Sequence, residues 1–332
     1  MTRPAVLVAR RTFARVVQTL GVHFEVEHNA GDELWDRSEL ARRLRDKQGL
    51  LSAGGVEVDA ALLAACPALR AVCHCGAGYN NIDVDACAAR GIIVTHTPDV
   101  LTETTADFGF ALILAAARRV AEAERHVRSG RWQQKGGIDF FAGQEVHGRT
   151  LGVLGMGRIG QAIARRAAQG FDMRVLYHNR LPLAADVEAI SGAHWVDKPT
   201  LLREADHLIV TMPYTPASRH AIGAAELALM KPTATLTNIA RGGVVDDAAL
   251  ARALQDGRLA AAALDVFEGE PALHPALLAA PSAVLTPHIA SSTLSARQAM
   301  ARLAADNLIA ALGCGPEAGR PRNAVRAPGR PG

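Results

Sequence analysis

Residues 151–160 read Leu-Gly-Val-Leu-Gly-Met-Gly-Arg-Ile-Gly, an apolar run that stops at Gly155 and carries two more glycines, Gly157 and Gly160. An amphipathic stretch, residues 161–169, follows at once. A strand, a G-x-G-x-x-G turn and a helix in this order predict a dinucleotide site. Each glycine has a mechanical task. Gly155 permits the tight turn, Gly157 lets the backbone approach a pyrophosphate, and Gly160 lets the helix pack closely on its strand. The helix N-terminus then presents unpaired N–H groups and the positive end of its dipole to the phosphates. About 150 residues precede the motif, enough for a domain of their own.

The flanking sequence fits that division. Within residues 1–100, short runs at 6–8, 49–52, 69–73 and 92–94 and the alternating stretch 22–26 read as strands. Stretches at 13–20, 38–46, 58–65 and 84–89 read as helices. Such β–α repetition predicts a parallel sheet covered on both faces. Residues 101–107, Leu-Thr-Glu-Thr-Thr-Ala-Asp, are rich in helix-start residues. Thr104 and Asp107 have the spacing of a capping box with a shorter acid. One long helix is expected from here through Arg118-Arg119 to about Arg128, stopped by Ser129-Gly130. Residues 131–149 are irregular, and Trp132, Phe140 and Phe141 in this loop fit an oligomer interface if exposed. A second α/β unit is expected from residue 150, with strands at 151–154, 174–177, 207–211, 234–238, 260–264 and 283–285 and a helix at 247–255. A final alanine-rich helix should run from after Ser291 to about Leu312. The Gly-, Pro- and Arg-rich tail beyond it has the composition of a mobile end. The predicted class is therefore α/β, with two doubly wound parallel-sheet domains.

Composition removes several functions. There are 36 Lys plus Arg against 33 Asp plus Glu, a net charge of +3, too small an excess to point to nucleic acid. Arg320, Arg322, Arg326 and Arg330 in the tail read as solvated charge. The five cysteines (66, 73, 75, 87 and 314) are odd in number and form no paired C-x-x-C halves, so free thiols in a reducing cytoplasm are expected. Cys73-His74-Cys75 lacks the four ligands of a structural zinc site, and no metal is expected. It reads as a strand end with Cys73 and Cys75 on one face. The opening Met1-Thr2-Arg3-Pro4 has no signal-peptide layout, and the apolar run 108–117 is about half a membrane span. A cytoplasmic protein without membrane contact is expected.

The choice of nicotinamide cofactor turns on the end of the second strand, about 20 residues beyond the glycines. NAD sites usually place Asp or Glu there to hold the ribose 2′-hydroxyl. This strand ends Tyr177-His178-Asn179-Arg180 with no acid; Asp172 falls before it and Asp186 well after it. Asn179 can donate hydrogen bonds, and Arg180 offers a fork of donors and a fixed charge to a 2′-phosphate. NADP(H) is the expected preference, with NAD(H) possible; a solvated Arg180 beside a tolerant NAD site is the alternative.

Three further segments fall at predicted strand ends: Thr237-Asn238-Ile239-Ala240-Arg241-Gly242-Gly243, Leu264-Asp265-Val266-Phe267-Glu268-Gly269-Glu270-Pro271 and Leu285-Thr286-Pro287-His288-Ile289-Ala290. Glu270 lies 29 residues after Arg241, and His288 lies 18 after Glu270. With the glycine turn, these motifs resemble the D-isomer-specific 2-hydroxyacid dehydrogenase family in type and order, from Gly49 to about Asn323. Residues 147–150 through 177–180, residues 102–107 and Arg118-Arg119-Val120 further resemble a subgroup that reduces glyoxylate, hydroxypyruvate and 2-ketogluconate.

The resemblance implies a Rossmann-type cofactor domain, residues 101–288, inserted into a flavodoxin-like substrate domain built from 1–100 and 289–332. It also implies a homodimer and a catalytic set of Arg241, Glu270 and His288. Those residue types suit a 2-keto acid. Arg241 can bind the carboxylate and polarise the ketone. His288 can give a proton to the oxygen as hydride reaches the carbon. Glu270 can orient the imidazole and favour its protonated form. Each residue alone also has an ordinary reading, as a phosphate-side charge, a loop acid and a helix-entry residue.

Carried over in the same way, Ala77 and Gly78 in Cys75-Gly76-Ala77-Gly78-Tyr79 are substrate contacts, their backbone N–H groups facing a carboxylate. Thr104 should touch the cofactor, and Arg158 and Ile159 offer backbone to the pyrophosphate. Met212, Pro213, Ile239 and Asp265 line the ribose and nicotinamide, with Asp265 either on the carboxamide or in a strand-end hydrogen bond. Trp132, Phe140 and Phe141 match an aromatic arm near a partner subunit's site. An NAD-linked dehydrogenase working oxidatively, on D-glycerate or D-3-phosphoglycerate, is the near alternative; the latter is disfavoured because no regulatory domain follows the last helix. A cofactor-sensing, corepressor-like binding protein on the same scaffold is the alternative from another class.

Overall fold

The computed structural model describes residues 3–325 and divides them between two compact units. Among them, unit one comprises residues 3–101 and 293–325, and unit two residues 102–292.

In unit one, elements alternate as β1 (Ala5–Val8), α1 (Ala14–His23), β2 (Glu25–His28), α2 (Arg37–Leu44), β3 (Gly49–Ser52), α3 (Ala60–Ala65), β4 (Ala71–His74), α4 (Val84–Ala89) and β5 (Ile93–Thr95). All five strands pair in parallel in the order β2-β1-β3-β4-β5, a flavodoxin-like arrangement. The central strands β1, β3 and β4 have both faces covered, so they are buried without alternation, whereas the edge strand β2 is Glu-Val-Glu-His. Val6 and Val8 face one core and Leu7 the other. Cys73 and the partly buried Cys75 share one core with Val6 and Val8, and all five cysteines are free. Burial pushes the Cys73 thiol up to about 12, so it packs as a small apolar group. Residues 22 and 23 continue α1 rather than opening a strand as expected, because the apolar spacing Val16–Leu20 carries on by helical period and β2 starts only at Glu25.

Unit two contains α5 (Thr102–Ala117), α6 (Val120–Arg128), β6 (Thr150–Leu154), α7 (Arg158–Phe171), β7 (Arg174–His178), α8 (Ala185–Ser191), β8 (Ala193–Trp195), α9 (Lys198–Glu204), β9 (His207–Val210), α10 (Ala224–Leu229), β10 (Thr235–Asn238), α11 (Asp247–Gln255), β11 (Ala261–Leu264), α12 (Pro275–Ala279) and β12 (Ala283–Leu285). Its seven strands are all parallel in the order β12-β11-β10-β9-β6-β7-β8. This order reverses between β6 and β9, a topological switch point where ligands bind beyond the strand ends. Helices α5 and α7 cover one face, against Val153, Val175 and Ile209; α9–α12 cover the other, against Leu154, Leu208 and Leu236. The chain then re-enters unit one as α13 (Leu294–Ala311), which packs Leu308 and Ala304 on the β1–β3–β4 face. The far C-terminal stretch returns to β5, where Val325 N–H donates to the Val94 carbonyl at 2.8 Å.

Three sequence expectations change here. The single helix through Arg118-Arg119 is broken: Arg119 takes a left-handed conformation at φ 54° between α5 and α6. The Ala117 carbonyl, which would continue the helical ladder, instead accepts the Gln144 N–H at 2.7 Å. Thr104 does not cap α5, which already starts at Thr102, and Asp107 accepts Arg166 at 2.6 Å instead. Strand β8 was not anticipated; three residues are too few to set a pattern. Arg320 and Arg322 are exposed, whereas Arg326 and Arg330, and with them the expected mobile end of the tail, lie outside the described residues. No described helix is long and apolar enough to cross a membrane.

Candidate active site

The glycine turn joins β6 to α7. Gly155 has φ 104°, a left-handed value that an L side chain resists, and a Cβ there would lie 2.5 Å from the Met212 backbone nitrogen. A Cβ on Gly160 would lie 2.6 Å from the Gly155 carbonyl. The turn therefore excludes larger residues at both positions. Around Gly157 there is open space, and it is exposed together with Arg158, the first residue of α7. The first turn of α7 carries no acid. An uncapped, acid-free helix start behind an open glycine fits a dinucleotide pyrophosphate. Met212 and Pro213, just past β9, abut this turn through the close approach of Met212 to Gly155.

At the end of β7, the Asn179 Oδ1 accepts the Met156 N–H at 2.7 Å. Its side chain thus ties the strand end to the glycine turn and leaves only its amide to donate. The Asn179 carbonyl accepts the indole N–H of Trp195 at 3.0 Å, and His178 Nδ1 lies 2.9 Å from the Val196 carbonyl. Trp195 escaped the sequence reading because β8 did. Arg180 is exposed at the tip of this turn.

The ends of β10, β11 and β12 carry the remaining candidates. After β10, Asn238 Oδ1 accepts the Ala240 N–H at 3.0 Å and its amide donates to the Arg241 carbonyl at 3.3 Å. This local loop fixes the backbone of Arg241, whose guanidinium donates to the Ala240 carbonyl at 2.7 Å. Burial lowers the Arg241 pKa from its ordinary value, opposed by the charge of Glu270. Ile239 is buried and its N–H meets the Val210 carbonyl at 3.3 Å.

After β11, Glu270 Oε1 accepts the Phe267 N–H at 2.9 Å, and Oε2 lies 2.8 Å from His288 Nδ1. The imidazole is thereby oriented with Nε2 away from the carboxylate. The side chains of His288 and Glu270 are 47% and 33% exposed, so the pair opens to the surface of unit two. Partial burial raises the Glu270 pKa, but the bonds from His288 and Phe267 and the charges of His288 and Arg241 outweigh it. The carboxyl is held below its usual range and is ionised at neutral pH, the state that accepts an imidazole proton.

His288 itself sits at φ 54°. Buried Asp265 accounts for how it is held: Oδ1 accepts Thr286 Oγ1 at 2.7 Å and the Ile289 N–H at 2.8 Å, and Oδ2 accepts the Ala290 N–H at 2.8 Å. Asp265 thus makes strand-end hydrogen bonds. Thr104 is half-buried within α5, and Ile159 is half-buried in the first turn of α7.

In unit one, the loop after β4 carries Ala77 and Gly78. The Ala77 carbonyl lies 2.7 Å from His96 Nδ1, and the Gly76 carbonyl accepts the Thr97 N–H at 2.9 Å. A side chain on Gly76 would meet the His74 ring at 2.6 Å, which is why the loop can turn there. His74 is buried against Ser52, 3.0 Å away, a packed position. No group of three or more metal-ligating side chains occurs among the described residues.

A doubly wound sheet, a phosphate-ready glycine turn and an Arg, Glu and His at adjacent strand ends define a nicotinamide-dinucleotide oxidoreductase. Residues 110–290 match the model of the D-isomer specific 2-hydroxyacid dehydrogenase NAD binding domain. The chain is 44% identical to a glyoxylate reductase of Thermococcus onnurineus over 311 residues, 93% of this chain and 92% of that protein. It is 46% identical to glyoxylate/hydroxypyruvate reductase B of Yersinia enterocolitica over 311 residues, 93% of this chain and 94% of that protein. Among solved structures, the NADPH-dependent glyoxylate/hydroxypyruvate reductase of Sinorhizobium meliloti in complex with NADP and malonate is similar at a TM-score of 0.84. That pair shares 38% identity over 98% of this chain and 100% of the other. The chain belongs to the D-isomer-specific 2-hydroxyacid dehydrogenase family.

Proposed function

We propose that this protein reduces small 2-keto acids to D-2-hydroxy acids, with glyoxylate, hydroxypyruvate and 2-ketogluconate as substrates and NADPH preferred over NADH. The observation that carries the reading is the 2.8 Å bond between His288 and Glu270, with the Arg241 charge acting on the same carboxylate. The bound dinucleotide supplies a hydride. Arg241 binds the substrate carboxylate and polarises the ketone. His288 delivers a proton from Nε2 to the ketone oxygen, and Glu270 steadies the imidazolium before transfer. Asp265 holds the backbone on which His288 stands and, as part of this reading, lies beside the nicotinamide with Ile239, Met212 and Pro213. Gly155, Gly157, Arg158, Ile159 and Gly160 receive the pyrophosphate, with Thr104 touching the cofactor. Ala77 and Gly78 are assigned to the substrate carboxylate.

The preference for NADPH is supported by the acid-free end of β7, by Asn179 and exposed Arg180, and by the NADPH dependence named for the Sinorhizobium relative. The same reading takes the protein as a cytoplasmic homodimer. Trp132 and Phe140, 56% and 45% exposed, line a hollow of about 480 Å³ with His126 and Phe141 and suit a subunit contact.

The test is nicotinamide absorbance during turnover of the three keto acids with each cofactor. At least one acid should support rapid NADPH oxidation, with kcat/KM for NADPH well above that for NADH. Absence of turnover with all three refutes the activity, and a tenfold advantage for NADH refutes the preference.

A further inference from the structure

Glu268 lies two residues before Glu270 and bonds different partners. Its Oε1 accepts Arg219 Nη2 at 2.8 Å, and its Oε2 lies 2.8 Å from His220 Nε2. Its backbone N–H donates to buried Asp247 at the start of α11, at 3.0 Å. The segment that carries Arg219 and His220 is tied in turn to the chain just after Arg241. The His220 N–H donates to the Gly243 carbonyl at 2.7 Å, the Ile222 N–H donates to the Val244 carbonyl at 3.1 Å, and Ile222 forms a parallel bridge with Val245. At its other end the segment is anchored by buried Ser218, whose hydroxyl donates to the Pro213 carbonyl at 3.0 Å. Residues 213–222 therefore form a splint. It is fixed by backbone to the Arg241 loop and by the side chains of Arg219 and His220 to the Glu270 loop.

We infer that Glu268, gripped by His220 and Arg219, is a positioning residue that registers the Glu270–His288 pair against Arg241. This rests on the reductase reading. Glu268 touches no reacting atom; it acts through the loop. Charged contacts of this kind are short and directional, and a reacting group displaced by about 1 Å loses on the order of a hundredfold in rate. Hydrogen bonds to His220 and Arg219 hold the Glu268 carboxyl below its ordinary pKa, so it is charged at neutral pH.

The experiment is a double-mutant cycle on the full chain with Glu268→Ala and His220→Ala, scored by kcat, by KM for glyoxylate and by the NADPH Kd from nicotinamide fluorescence. Each single variant should lower kcat/KM about tenfold, mainly through kcat, with NADPH Kd near wild type. The double variant should be no worse than the poorer single one. Glu268→Gln, which keeps an oxygen for His220, should recover most of the loss. Multiplying effects, unchanged kcat in both single variants, or NADPH binding lost in step with kcat overturns the inference. Wild-type protein inactive with every keto acid refutes the reductase reading, and this role with it; active wild-type protein with multiplying variants refutes this role alone.

Discussion

Gly242→Ala probes a close backbone approach between the loops that carry Arg241 and Glu270. A Cβ on Gly242 would stand 1.7 Å from the Phe267 carbonyl oxygen, 2.1 Å from its carbon and 2.8 Å from the Glu268 nitrogen. All three atoms are backbone, so no side chain can swing aside. Cβ contacts in proteins stop near 3.0 Å, so one methyl group must drive the loops apart by at least about 1.3 Å. A displacement of that size at reacting groups costs about a hundredfold in kcat/KM, and the overpacking costs about 1–3 kcal/mol of stability. Steady-state kinetics with glyoxylate and NADPH, paired with urea unfolding, measure both. NADPH affinity should hold, because the glycine turn lies elsewhere. Gly170→Ala is the matched control. Gly170 is exposed near the end of α7, with nothing within 4 Å of its added Cβ, so alanine should stabilise by about 0.5–1 kcal/mol without changing kinetics. A folded Gly242→Ala enzyme with wild-type kcat/KM would refute the claim that the two loops are in register through this contact.

Other perturbations separate the parts of the account. His288→Asn should lower kcat by about 10²–10⁴-fold with NADPH Kd near wild type, because the lost group acts in proton transfer; rapid-mixing kinetics and fluorescence titration check this. Arg180→Ser should raise KM for NADPH about tenfold and leave KM for NADH unchanged, as expected for loss of one charge-assisted contact to a phosphate. Asp32, in unit one, is held at about 2, against an ordinary 3.8, by the side-chain bond from Arg10 at 2.8 Å. Its carboxylate stays charged in the folded protein where an unfolded chain protonates it, so its stabilisation is full above about pH 4 and disappears as pH falls through 2. Discounted for partial exposure, Asp32→Asn should cost about 1 kcal/mol at pH 7 in urea unfolding and nothing well below pH 2.

The parts legible in the sequence share one property: they depend on short-range chemistry. Apolar runs bounded by glycine or charge located four strands of unit one and all but β8 of unit two, because strands buried on both faces are continuous apolar runs; the edge strand β2, Glu-Val-Glu-His, is no such run and starts three residues later than expected. The glycine spacing announced a turn whose backbone angles and clearances only glycine satisfies. What stayed hidden depends on distant partners. Nothing local in Arg118-Arg119 announces a helix break; the break exists because Gln144 captures the Ala117 carbonyl from 27 residues away. Nor does anything local announce that the Asn179 oxygen accepts the Met156 N–H, 23 residues back. Nothing near Asp265 in sequence announces that it gathers Thr286, Ile289 and Ala290. The Glu270–His288 contact joins segments whose spacing alone left each residue an ordinary reading; family resemblance, rather than periodicity, paired them.

The central claim is that hydride passes from the nicotinamide to a keto carbon while His288 supplies the proton. Wild-type protein supplied with NADPH deuterated at the transferable C4 position and with hydroxypyruvate in ordinary water tests it most directly. The account predicts D-glycerate that is one mass unit heavy, with the deuterium on C2 and none exchanged with solvent. Unlabelled product, or consumption of neither compound, would contradict it.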